Sequence, residues 1–155
     1  NRLIGKKFGT LTLILDFLKT FLPCLIMHKF FGTEAGVISG FLCIVGHIFP
    51  IWLNFRGGKG VASYMGFMLA TSWPLFIILI ISWLIIVRIF QYSSVAAIFS
   101  ILISLIAFKT ILFIQFNYNI LIWVSGDPLE FQFSLLVGLI ILAKHYTNII
   151  NIVKK

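Results

Sequence analysis

Apolar residues run through this chain in long blocks, broken by short clusters of glycine, proline and charge. Several blocks approach the roughly 20 residues that a helix needs to cross a bilayer core. The first spans about residues 8–27 and carries Asp16 and Lys19, three positions apart and so on neighbouring parts of one helical face. Pro23 lies near its end. The second covers about residues 35–53, with Gly36, Gly40 and Gly46 placed to let helices approach closely. A glycine-rich stretch follows. A third, short block covers residues 61–71, and Ser72-Trp73-Pro74 marks a break after it. Further blocks cover about residues 75–90, 94–116 and 131–144, with a polar turn region over 117–128. Residues 145–155 read as an amphipathic interfacial helix, isoleucines and valine on one side, asparagines and lysines on the other. No internal repeat or low-complexity linker interrupts the pattern. It predicts an all-α, polytopic helical membrane protein of about six membrane segments, in a single domain over residues 1–155.

Composition agrees. Hydrophobic residues are 61% of the chain, charged residues 10%, and the mean hydropathy is +1.12. A soluble domain is about half apolar and about a quarter charged. This chain has too little polar surface to face water all round, and lipid takes the place of much of a buried core. The net charge of +8, from 12 basic and 4 acidic residues, changes the picture in one respect. With segments alternating sides, Arg2, Lys6, Lys7, Arg56, Lys59, Arg88, Lys144, Lys154 and Lys155 fall on one side. Lys29 falls on the other, beside Glu34, Asp127 and Glu130. That asymmetry predicts a cytoplasmic location for the glycine-rich loop, the turn at 91–94 and the tail. It also fits attraction to anionic lipid headgroups or an anionic substrate. Basic residues scattered among spans do not form the continuous basic face that nucleic acid requires, so nucleic acid is excluded as a partner. Cys24 and Cys43 lie in apolar surroundings, and two cysteines without a histidine cluster make no zinc site, so neither metal nor cofactor is expected. No cleavable signal peptide is expected. The chain does not begin with Met, which points to a processed or truncated N-terminus.

The candidate chemistry centres on residues 46–60, Gly-His-Ile-Phe-Pro-Ile-Trp-Leu-Asn-Phe-Arg-Gly-Gly-Lys-Gly. Glycines let backbone N–H groups approach an anion closely. Arg56 and Lys59 add charge and donors suited to phosphate oxygens. Asp16 and Lys19 are charges inside an apolar block; they either neutralise each other or shape a polar cavity opening to the cytoplasmic face. Lys109, in a long apolar run, is expected to snorkel towards an interface. A histidine at a span end, such as His47, is more often structural than a base. His145 and Asn148 are three apart, so one helical turn presents both to the same site.

Taken together, these pieces resemble the bacterial glycerol-3-phosphate acyltransferases that use acyl-phosphate, the PlsY family. Gly46-His47-Ile48-Phe49-Pro50 through Gly57-Gly58-Lys59-Gly60-Val61-Ala62-Ser63 is similar to the family's central signature. Leu15-Asp16-Phe17-Leu18-Lys19 resembles its Leu-Asp-x-x-Lys segment, and Gly5-Lys6-Lys7-Phe8-Gly9 the stretch before it. Arg88 and Tyr92-Ser93-Ser94-Val95-Ala96 resemble its Arg-Tyr-x-Ser-x-x-Ser turn, with Ala97 where a second serine is common. Lys144-His145-Tyr146-Thr147-Asn148-Ile149 resembles its last signature, His-x-x-Asn-Ile. Members of the family normally begin with one more span and a Ser-Gly-Asn-x-Gly-Ala-Thr-Asn loop ending in Leu-Arg; Arg2 aligns with that arginine. The Gly-x-Glu that usually follows the last signature has no counterpart.

The resemblance implies transfer of an acyl group from acyl-phosphate to glycerol 3-phosphate, giving 1-acylglycerol 3-phosphate and phosphate, in the bacterial inner membrane with the site facing the cytoplasm. It implies phosphate binding by Lys59, Arg56 and the Gly57, Gly58 and Gly60 backbone, with Arg2 contributing. It places Asp16, Lys19 and His47 around the substrates and offers Ser93 or Ser94 as a phosphate donor. His145 and Asn148 would bind glycerol 3-phosphate or orient its attacking hydroxyl. The proton goes to His47, to His145 or to a substrate phosphate. Two other readings compete: a small-anion channel or transporter, suited by the short block at 61–71 and the basic loop, and a truncated, inactive family member.

Overall fold

The computed structural model describes residues 6–146, 148 and 150. Among these residues all regular structure is helical. The helices are α1 (Lys6–Phe31), α2 (Thr33–Ile48), α3 (Val61–Thr71), α4 (Trp73–Phe90), α5 (Ser93–Tyr118) and α6 (Pro128–Lys144), with a 3-10 turn at Ile51–Leu53. Four stretches are long and apolar enough to cross a membrane: Phe8–Phe31, Thr33–Leu53, Trp73–Phe90 and Ser93–Tyr118. The 11 residues of α3 rise only about 16 Å, half a bilayer core. The chain divides into two compact units, Asn1–Ala70 and Thr71–Lys155.

In the first unit, α1 runs through Pro23, as the block over 8–27 does, and continues to Phe31, four residues past that block's expected end. In an apolar span, neighbouring helices and local adjustment can re-satisfy the carbonyl that a proline frees. Gly32, at φ 90°, ends α1; its N–H donates to the His28 carbonyl, and α2 starts at the next residue. So tight a reversal packs α2 directly on α1. At Gly36 a Cβ would lie 2.6 Å from the His28 Cβ, and at Gly40 it would meet the Phe67 ring and lie 3.1 Å from the Cys24 sulfur. Gly46 behaves differently: nothing lies within 4 Å of a Cβ there, so it serves no helix contact. Gly66 seats α3 against the Phe17 carbonyl of α1, where any Cβ would collide. Cys24, Val37, Ile44, Tyr64, Phe67 and Met68 are fully buried.

In the second unit, Pro74 stands in the first turn of α4, where a missing N–H costs nothing. Gln91 closes α4 in a left-handed conformation, its N–H on the Val87 carbonyl, and α5 begins two residues later. α5 packs against both α4 and α6. Gly138 of α6 meets Ile101 and Leu105 of α5. Ser100 and Ser104 donate to carbonyls of their own helix, which satisfies their hydroxyls without water. The turn region after α5 is less polar than expected: Ile120, Ile122 and Trp123 are exposed, and Gln115 Nε2 pins the segment by donating to the Leu121 and Val124 carbonyls. Lys109 places its ammonium 5.4 Å from the Phe131 ring centre, a cation–π contact. α6 opens with a capping box, in which the Asp127 carboxylate accepts from the Glu130 N–H and Glu130 accepts from the Asp127 N–H. Most of the interfacial tail expected over 145–155 lies outside the described residues, as does Arg2.

Candidate active site

The glycine-rich loop is built on the end of α2. After Pro50 the chain makes its 3-10 turn, then enters left-handed backbone at Asn54 (φ 48°) and Phe55 (φ 61°). For a bulky residue such as Phe55 that conformation is strained. Four hydrogen bonds hold it: Phe55 N–H to the Pro50 carbonyl, Arg56 N–H to Leu53, Gly57 N–H to Ile48 and Gly58 N–H to His47. The last two satisfy carbonyls that a helix end leaves unpaired. The sequence assigns the Gly57 and Gly58 N–H groups to an anion; the structure gives them to α2. The two glycines instead allow close approach. A Cβ on Gly57 would strike the His47 carbonyl, and one on Gly58 would strike the His47 imidazole. Gly60, at φ 83°, turns the chain into α3, its carbonyl accepting from the Tyr64 N–H. The loop's positive charge is carried by the side chains of Arg56 and Lys59, both exposed.

Asp16, Lys19 and His47 come together beneath this loop. Lys19 Nζ lies 2.6 Å from Asp16 Oδ1 and 2.6 Å from His47 Nδ1. Spacing foretold the first contact; the second joins residues 28 apart in sequence. A cavity of about 560 Å³ opens here, with Asp16, Lys19, His47, Arg56, Gly57 and Gly58 in its wall. Thr12, Cys43, Gly46, Pro50, Trp52 and Leu53 complete the lining, while Lys59 and Gly60 are outside it. Sequence reasoning passed over Thr12 and read Cys43 only as a cysteine in apolar surroundings, yet a signal existed. Each precedes a charged or titratable cavity residue by four positions, Asp16 and His47 respectively, and so shares its helix face. The lining thus combines the charged and polar side chains of Asp16, Lys19, His47 and Arg56 with apolar Pro50, Trp52 and Leu53. That combination suits an anionic headgroup joined to a hydrocarbon.

The remaining candidates lie in the second unit. Asn148 Nδ2 donates to Ser94 Oγ at 2.6 Å, and the Asn148 N–H donates to the His145 carbonyl. His145 is buried, with Nδ1 2.8 Å from the Ile141 carbonyl. A carbonyl only accepts, so Nδ1 carries the proton and Nε2 is the basic nitrogen of the neutral ring. Ser93 is exposed, in contrast to the half-buried Ser94, and Arg88 is exposed.

A family model described as glycerol-3-phosphate acyltransferase matches residues 1–155, the whole chain. The chain belongs to the glycerol-3-phosphate acyltransferase family. A family member from Bartonella henselae is 36% identical over 152 residues, covering 94% of this chain and 64% of the relative. The chain therefore spans somewhat under two thirds of that relative's length. Two crystal structures of PlsY, described as an integral membrane glycerol 3-phosphate acyltransferase, align at 29% identity over 99% of this chain. One is a lysophosphatidic acid form, with TM-score 0.84 over 72% of that chain. The other is a glycerol 3-phosphate form, with TM-score 0.85 over 71%. The all-helical fold of this acyltransferase-family chain is accordingly that of an integral membrane protein.

Proposed function

We propose that the chain performs acyl transfer from acyl-phosphate to the sn-1 hydroxyl of glycerol 3-phosphate, giving 1-acylglycerol 3-phosphate and phosphate. The observation that carries the reading is the cavity, whose lining joins cationic Arg56 to apolar Trp52 and Leu53, in a member of this family. The glycerol hydroxyl oxygen bonds to the acyl carbonyl carbon, the bond from that carbon to phosphate breaks, and phosphate leaves. The carbonyl is already activated, so catalysis rests on positioning and on stabilising the charge that develops. Arg56 and Lys59 bind phosphate oxygens, joined by Arg2. Ser94 is the better of the two serines for the donor role. Its oxygen accepts from Asn148, which leaves its own O–H to point at an anion. His145 and Asn148 orient glycerol 3-phosphate, and the hydroxyl proton passes to a phosphate oxygen. The charge bias supports an inner-membrane protein with the basic loop at the cytoplasmic face.

The test is acyl transfer by the reconstituted chain, with acyl-phosphate and labelled glycerol 3-phosphate. Lysophosphatidate should form, and Arg56→Ala or Lys59→Ala should each lower kcat/KM on the order of 100-fold. No product, or phosphate flux across the vesicle without acyl transfer, would overturn the reading.

A further inference from the structure

One turn of α1 holds both ends of the glycine loop. On one side, Lys19 Nζ binds His47, the residue whose carbonyl receives Gly58 and whose ring fills the space where a Gly58 side chain would be. On the other, buried Ser63 in the first turn of α3 donates through Oγ to the Asp16 carbonyl at 3.1 Å, and Gly66 rests on the Phe17 carbonyl. The loop that carries Arg56 and Lys59 therefore has its departure and its return fixed to residues 16–19.

The chemistry of the His47 contact is directional. An ammonium has three N–H donors and no acceptor, so the ring nitrogen 2.6 Å from it must offer a lone pair. Nδ1 is that nitrogen, and the ring proton resides on Nε2. Asp16 Oδ1, 3.4 Å from the same Nδ1, is too distant to compete for it. Asp16 instead takes a second donor of Lys19 and holds the ammonium in place. With Nδ1 occupied and Nε2 protonated, His47 has no lone pair to offer a substrate proton, so it is not the base.

We propose that Lys19 is a positioning residue: it locks His47 as the Nε2–H tautomer and thereby sets the seat of the Gly57–Gly58 backbone, and its role is exerted through His47 rather than on a substrate phosphate. The catalytic consequence rests on the acyl-transfer reading; the tautomer does not.

The experiment has two arms. In the first, the full chain with ¹⁵N-labelled histidine is placed in lipid nanodiscs, His47 is assigned from its loss in His47→Asn, and the ring nitrogen shifts are read. The expected result is the Nε2–H form in the parent chain and a tautomer mixture in Lys19→Met. An Nδ1–H ring in the parent, or no change in Lys19→Met, overturns the proposal. The second arm is a double-mutant cycle on kcat/KM. Lys19→Met and His47→Leu should each cost on the order of 10–100-fold, as misplaced phosphate-binding groups do. The double variant should be no worse than about threefold below the poorer single, since residues acting through each other are not additive. His47→Asn, which keeps an acceptor near Nδ1, should recover most of the loss. Multiplicative losses would put Lys19 directly on a substrate and overturn the proposal. An inactive parent chain would overturn the acyl-transfer reading alone, and the tautomer arm would then decide the inference.

Discussion

His47 shows how much a single side chain can be asked to do. Its carbonyl caps a glycine, its ring excludes a methyl group from Gly58, and its Nδ1 holds a lysine. Gly58→Ala should therefore disturb the loop far more than the fold. We expect kcat/KM to fall at least about tenfold while the thermal midpoint moves by only a few degrees. Gly46→Ala is the contrast. It sits in α2 with open space around it, so alanine should leave stability unchanged or raise it by up to about 1 kcal/mol, read from thermal unfolding in detergent. These residue roles were only partly legible in the sequence. The Asp16–Lys19 pair followed from helix spacing alone. The part played by His47 did not, because a contact 28 residues away depends on how α1 and α2 are placed. The use of the Gly57 and Gly58 N–H groups was hidden for a similar reason: a glycine-rich motif advertises close backbone approach without naming what approaches.

The helices themselves were far easier to read. Continuous apolar blocks fixed all six, and α3 starts and stops where the block over 61–71 does. Boundaries differed at the ends of blocks: α1 runs to Phe31 rather than to 27, and α2 ends at Ile48, with the residues to 53 taken up by the 3-10 turn. The capping box at Asp127 and Glu130 is written in the sequence as Asp-Pro-Leu-Glu and extends α6 three residues ahead of its apolar run. Glu130 is buried there, and burial raises its carboxyl from the ordinary glutamate range to about 7. The raised value means that the folded state favours the protonated acid. Its stabilising contribution is complete below the ordinary glutamate value and is lost as pH rises through about 7. Glu130→Gln keeps the capping box but cannot ionise. It should flatten the fall in thermal stability between about pH 4.5 and 7 and leave the variant more stable above pH 7, on the order of 2 kcal/mol. At the α1–α3 contact, Gly66→Ala must displace backbone and should cost about 1–3 kcal/mol.

Across the whole molecule, charge and hydropathy act together. The bias of basic residues predicts opposite exposure for the two ends of α2. In a Cys43→Ser background, an impermeant thiol reagent should label Ile51→Cys only in inverted inner-membrane vesicles and Glu34→Cys only in right-side-out ones. Equal labelling from both sides would refute the orientation. The site also has an order of assembly. The bonds that complete it reach from α1 across 28 and 47 residues, so α1 emerges from the ribosome into the translocon ahead of His47 and Ser63, which follow it along the chain. A lone ammonium or carboxylate at that depth would resist release into lipid. The Asp16–Lys19 pair lies within one turn and needs no partner helix, so α1 can partition as a locally neutral segment. A pair that later braces the loop thus serves first as a passport for membrane insertion: Asp16→Asn would leave an unmatched lysine in the earliest of these helices to be inserted, and the defect would fall on biogenesis before it fell on catalysis.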